Sequence, residues 1–136
     1  MKTHTTNYAN TLILIADDSP VTTAVVPPVK DSKTVANLQY ELLIDNPYRY
    51  TSDDVLFTVH AQRAGIARAD MEEARKAFFS KGQACFRASP LTKRYGWGVH
   101  ADAEGRIALY ACDSEEYHQL AASNGIQTVK AMKSAR

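Results

Sequence analysis

The stretch WGVHADAEGRIALYAC, residues 97–112, decides the fold. Two strand-like runs, Trp97–His100 and Arg106–Cys112, flank Ala101-Asp102-Ala103-Glu104-Gly105, a five-residue connection containing glycine. That spacing is a β-hairpin signal. In the second run Ile107, Leu109 and Ala111 point one way, and Ala108, Tyr110 and Cys112 the other, as strand alternation requires. Toward the C-terminus, Asp113 and Glu116 mark the start of a helix over Ser114–Ala122, which Asn124-Gly125 ends. Gln127–Lys133 reads as a final strand. Toward the N-terminus, Gln83–Tyr95 holds Pro90 and alternates poorly, so it reads as loop with a short strand at Ala84–Arg87.

Three helices precede that loop. Val35, Leu38 and Leu42 recur at helical spacing within Thr34–Asp45, and Pro47 forces an end by Asn46. Thr51 and Asp54 form a T-x-x-D start signal for a second helix that Gly65 closes. It is apolar on two sides, with Leu56 and Val59 on one and Phe57, Ala61 and Ala64 on another, which predicts a sandwiched helix. Asp70 and Glu73 repeat the start signal for a third, with Met71, Ala74 and Phe78 as its stripe and Gly82 as its stop. Residues 20–33 carry Pro20, Pro27 and Pro28 and read as ordered loop or extended edge. Leu12–Ala16 (LILIA) is apolar on both alternating faces and predicts a covered strand. The order strand, three helices, hairpin, helix, strand predicts an α+β fold. Its small, mainly antiparallel sheet comprises N-terminal strand, hairpin and C-terminal strand, packed with about four helices.

The 136 residues suit one domain over 1–136 and leave no room for two independent cores. The composition, 45% hydrophobic and 23% charged with 6 Gly and 5 Pro, excludes collagen-like, coiled-coil and disordered chains. Cys85 and Cys112, far apart and without a signal peptide, read as reduced thiols. The apolar run Leu12–Ala16 is too short for a signal core or a membrane span, and Lys2 is followed by polar residues up to Thr11. Ser134-Ala135-Arg136 lacks the basic centre and terminal leucine of a peroxisomal address. These features point to the cytoplasm and away from a membrane.

Charge is uneven beneath a net +1. Residues 1–73 hold ten acids and six bases, and residues 74–136 five acids and ten bases. Between Ala74 and Ala101 Arg75, Lys76, Lys81, Arg87, Lys93 and Arg94 occur without one acid, and Tyr95, Trp97 and His100 close the run. Arg87, Ser89, Lys93, Arg94, Tyr95, Trp97 and His100 are therefore the expected ligand-binding residues, and an anionic small molecule the expected partner. Guanidinium, ammonium and hydroxyl donors suit phosphate or carboxylate, and Trp97 between Gly96 and Gly98 could stack on a planar group. The plainer alternative makes the bases a solvated face and Trp97 a core aromatic. No phosphate-loop motif is present.

Other chemistry has thinner support. Ser89, His100 and Asp102 supply hydrolase residue types, but no G-x-S-x-G elbow surrounds a serine. His100 assisted by Tyr95 or Cys85 is the enzyme alternative, with Arg87 and Lys81 near enough in sequence to lower the Cys85 thiol's pKa. The histidines His4, His60, His100 and His118 show no metal-ligand spacing, so no metal or cofactor is expected. Asp17-Asp18 and Asp53-Asp54 suit a strand end and a helix N-terminus. Asn46-Pro47-Tyr48-Arg49-Tyr50 reads either as a seal over a helix junction or as a pocket rim or interface. Weak contact with nucleic acid or protein is a third reading, with nucleic acid disfavoured because the acids balance the bases and no recognised motif occurs.

Several segments together resemble a family of small bacterial and fungal proteins catalogued as a domain of unknown function. They are Val35–Leu43, Asn46-Pro47-Tyr48 to Val55-Leu56-Phe57, Phe79–Cys85, Arg87–Leu91 to Tyr95-Gly96-Trp97-Gly98, Ser114-Glu115-Glu116-Tyr117, and Val129–Ser134. The resemblance implies one complete domain over nearly the whole chain and carries with it no activity, cofactor or catalytic residue.

Overall fold

A computed structural model describes residues 3–134; Lys2 and the last two residues of the C-terminal tripeptide lie outside them. The hairpin is present as β3 (Trp97–Ala101) and β4 (Arg106–Ala111), antiparallel, with Val99 opposite Leu109 and His100 opposite Ala108. Its connection is one residue shorter than the sequence suggests, because Ala101 pairs with Ile107. Gly105 takes φ 82° in the turn, a left-handed conformation that suits glycine. The Asp102 carboxylate fixes the turn by accepting from the amides of Glu104 and Arg106 at 3.0 and 2.9 Å.

β1 (Thr11–Leu14) pairs antiparallel with β3 and parallel with β5 (Gln127–Lys130), and β2 (Tyr50–Thr51) adds to the far edge of β4. The sheet order is β2-β4-β3-β1-β5, mostly antiparallel within an α+β fold. β5 ends at Lys130 rather than Lys133: Ala131 turns into the core and the Met132 amide donates to the Arg87 carbonyl at 2.8 Å.

α1 (Val35–Ile44) and α2 (Ser52–Ala64) begin with capping boxes built on Thr34/Asn37 and Thr51/Asp54, each satisfying two amides that a helix start leaves open. Gly65 ends α2 at φ 67°. α3 (Met71–Phe78) stops before Gly82, with Phe79 buried beside Phe57 and Ala61. Asp70 makes no side-chain cap bond there. The segment expected as strand at Ala84–Arg87 is instead a 3-10 turn over Phe86–Ala88 that buries Phe86, and a four-residue helix α4 (Pro90–Lys93) follows it. α5 (Glu115–Ala122) is capped by Ser114, not Asp113, whose carboxylate accepts from the Ala24 amide at 3.0 Å.

Successive strand residues face opposite sides of the sheet. One side, carrying Trp97, Val99, Ala101 and Ile107, packs with Ala36, Leu43, Val55 and Leu91 of the helices into the main core. The other side is crossed by α5, whose Tyr117 ring lies directly over Gly98. Among the described residues no helix is long and apolar enough to cross a membrane.

Candidate functional site

The residues expected to bind a ligand divide between the two sides of the sheet. Trp97 faces the helices: its ring centroid is 5.4 Å from that of Tyr40, and its indole N–H donates to the Val25 carbonyl at 2.9 Å. Tyr95, two residues earlier, packs on the same core. Ser89 is buried, caps α4 and donates to Gln39 Oε1 at 2.6 Å. It therefore does not meet His100 in a hydrolase arrangement. Arg87 gives its Nε–H to the Lys130 carbonyl at 2.7 Å. Lys93 ends α4, and the exposed Arg94 lines a shallow depression with Asp18, Pro20 and Ser134. Ser89, Arg87 and Trp97 thus direct their polar groups to the chain itself, and the seven residues do not line one common depression.

His100 lies on the opposite side. β3 directs it away from the main core, and the segment Asn46–Tyr50 brings Tyr48 against it. The Tyr48 hydroxyl is 2.8 Å from His100 Nδ1 and 2.7 Å from the Tyr110 hydroxyl, so one phenol bridges an imidazole and a second phenol. Tyr110 shares this side because it pairs with Gly98, two residues from His100. Tyr48 reaches its place through an uncommon backbone: φ is 59°, in the left-handed region that a bulky residue occupies only under restraint. Its amide holds that turn by donating to the Ile107 carbonyl at 2.9 Å.

Electrostatics set the protonation of this cluster. Burial lowers the His100 pKa below its ordinary 6.5, and the Asp102 charge opposes the shift without reversing it. The ring is therefore neutral near pH 7. Burial, followed by the bond to Tyr110, pushes the Tyr48 phenol well above its ordinary 10.0, so it stays protonated. Neither His100 Nε2 nor the second lone pair of Tyr110 has a partner among the described residues. Tyr110 forms part of the wall of a 360 Å³ depression between β4 and α5, with Glu116, Gln119, Leu120 and Ser123.

The sequence-expected helpers of His100 lie elsewhere. Tyr95 is on the core side, and Cys85 Sγ is 3.8 Å from the Tyr8 hydroxyl. Cys112 is buried at the end of β4, its thiol directed at the Thr22 carbonyl. No group of three His, Cys, Asp or Glu side chains converges as a metal site among the described residues.

The chain belongs to a family of unknown function, DUF6157. The family's sequence profile matches residues 3–136 and so includes Tyr48, His100 and Tyr110. No curated protein and no solved structure matches the chain.

Proposed function

We propose that the depression between β4 and α5 binds a small molecule and that Tyr110 moves a proton to or from it, with His100 as the reservoir. The observation that carries this reading is the Tyr48 phenol held between His100 Nδ1 and the Tyr110 hydroxyl. With the imidazole proton on Nδ1, His100 donates to Tyr48, Tyr48 donates to Tyr110, and the Tyr110 proton is left to point into the depression. Giving that proton to a bound molecule draws a proton from Tyr48 to Tyr110 and from Nδ1 to Tyr48, while Nε2 takes one from solvent. The reverse sequence removes a proton. Tyr110, Tyr48 and His100 each end neutral, so the relay itself keeps no buried charge; the charge gained or lost is carried by the bound molecule and balanced by the proton exchanged with solvent at Nε2. The acid among the lining residues is Glu116 and no base lines the depression, which favours a neutral or cationic molecule over an anion. The reading keeps His100 from the enzyme alternative and gives it Tyr48 and Tyr110 as partners.

NMR screening of the full chain with neutral and cationic fragments bearing carbonyl or iminium groups tests this. Hits should shift the amides of Tyr110, Glu116 and Leu120. In D₂O their activated C–H protons should exchange faster with the wild type than with Tyr110→Phe or Tyr48→Phe. Hits confined to other surfaces, or exchange that neither substitution slows, would overturn the proposal.

A further inference from the structure

On the helical side, a 470 Å³ groove runs between α1, α2 and the end of α3, within the size range of small-ligand sites. Its walls are largely apolar, from Val35, Leu56, Val59 and Phe78. The His60 ring stacks on Phe78 with centroids 4.7 Å apart and planes at 30°, extending the flat wall toward solvent. Two groups, Gln39 and Arg63, supply this lining with donors that no protein group takes among the described residues.

The first is Gln39, only 3% exposed. Ser89 Oγ accepts from the Leu91 amide and gives its own proton to Gln39 Oε1 at 2.6 Å. That bond fixes the amide's orientation and leaves Nε2 on the groove side, where it has no partner among the described residues. Gln39 Nε2 is not a buried atom left without a partner, so its two donor hydrogens meet the solvent of the groove and are open to an acceptor there. The second is Arg63 in the last turn of α2, exposed at the mouth of the groove and without an ion pair among the described residues.

We infer that this groove is a binding site for a small monocarboxylate with an apolar body and a carbonyl oxygen along it. The carboxylate takes the Arg63 fork at the mouth, the chain lies against Val35, Leu56, Val59 and Phe78, and the carbonyl oxygen accepts from Gln39 Nε2. An anionic ligand is thus matched to a cation of α2 rather than to the basic run at 87–94. The site is independent of the proton relay, which lies across the sheet.

The test uses three probes on the full chain, 6-oxoheptanoate, heptanoate and 2-heptanone, followed by NMR shifts and calorimetry. The keto acid should bind tightest and shift the amides of Gln39, His60, Arg63 and Phe78. Arg63→Gln, an exposed change that leaves the core intact, should weaken both acids about tenfold and leave 2-heptanone unaffected. Gln39→Leu should bring the keto acid down to the level of heptanoate; its far-ultraviolet dichroism and thermal transition report whether the fold survives. Shifts that cluster outside the groove, or acid binding that Arg63→Gln does not weaken, would refute the assignment. Equal affinity for the keto acid and the plain acid in the wild type would remove the role given to Gln39.

Discussion

Gly98 is where the fold and the proposed catalytic depression depend on a single hydrogen atom. A Cβ at residue 98 would stand 2.5 Å from Cε2 and 2.7 Å from Cδ2 of the Tyr117 ring, and 3.2 Å from the Ile13 carbonyl oxygen. Carbon contacts settle near about 3.5–4.0 Å, so Gly98→Ala forces the ring, and α5 with it, back by about an ångström. Tyr117 is 7% exposed, and its hydroxyl accepts from the Ile15 amide at 3.0 Å. Retreat of the ring strands that amide at the end of β1. Overpacking costs about 1–3 kcal/mol, and losing the bond a further ~1–3 kcal/mol. Replacing a strand glycine returns up to about 1 kcal/mol. The expected loss is therefore about 3 kcal/mol, within a range of roughly 1–6 from these same contributions. Urea unfolding followed by Trp97 fluorescence should show the midpoint falling with an unchanged slope. On a Tyr117→Leu background the new methyl group fills vacated space, and the cost of Gly98→Ala should fall below about 0.5 kcal/mol. A cost that is equal in the two backgrounds, or negligible in the first, would show that the ring–glycine contact does not seat α5.

Three further expectations follow from the geometry. Tyr48→Phe removes both bonds of the bridging phenol and leaves His100 Nδ1 without its partner, so denaturant melts should show a loss of about 1–3 kcal/mol. His100 has a pKa below 6.5 in the fold, so protons bind the unfolded chain more tightly; the ring's contribution is complete above that pH and is lost as pH falls from about 6.5 through the folded value. His100→Gln should remove that part of the pH–stability curve, and Asp102→Asn, which deletes an opposing charge, should lower the His100 pKa further in ¹⁵N-detected titrations. Gly65→Ala meets open space and should cost only the left-handed backbone penalty, about 1–2 kcal/mol. Gly96→Ala, at φ 77° with the Thr23 carbonyl oxygen at 3.0 Å and Ala24 Cα at 3.1 Å, should cost clearly more in the same melts.

The parts of the fold that the sequence shows are those with a local physical signature. Thr51 and Asp54 announce α2 because a capping box needs both residues three apart, and Gly65 ends it because a left-handed residue is needed there. LILIA declares itself by an unbroken apolar run that suits a strand covered on both faces, and the hairpin by its alternation and glycine-containing turn. The parts it hides have no such signature. β2 is two residues long, and its strand character comes only from pairing with Arg106 and Ile107. α4 is a single turn begun by Pro90 and capped by Ser89, in a stretch whose loss of alternation suggests loop. The 3-10 turn at Phe86 exists because that ring, 1% exposed, is drawn into the core. For the site, His100 is visible as a reactive side chain, and Asn46–Tyr50 as a possible pocket rim. Their junction is not visible, because it rests on the positive φ of Tyr48 and on hairpin register, both set by tertiary contacts.

Alternation also explains why a cluster along the sequence does not become a cluster in space. Trp97 and His100 are three residues apart on one strand, an odd spacing that sends them to opposite sides of the sheet whatever the rest of the chain does. His100 and Tyr110 are ten apart, but the turn register puts Gly98 opposite Tyr110, and they share a side. The acid-free basic run is divided in a similar way. Arg75 bonds Asp54 at 2.9 Å and lies over the Phe57 and Phe79 rings, while Arg87 holds the Lys130 carbonyl. These two take their partners from distant parts of the chain and fasten separate elements together, while Lys76 pairs within α3 with Glu72 and Glu73. Groups that the fold has not already paired are then the better guide to chemistry: the outer faces of His100 and Tyr110 on one side of the sheet, and Gln39 Nε2 with Arg63 on the other.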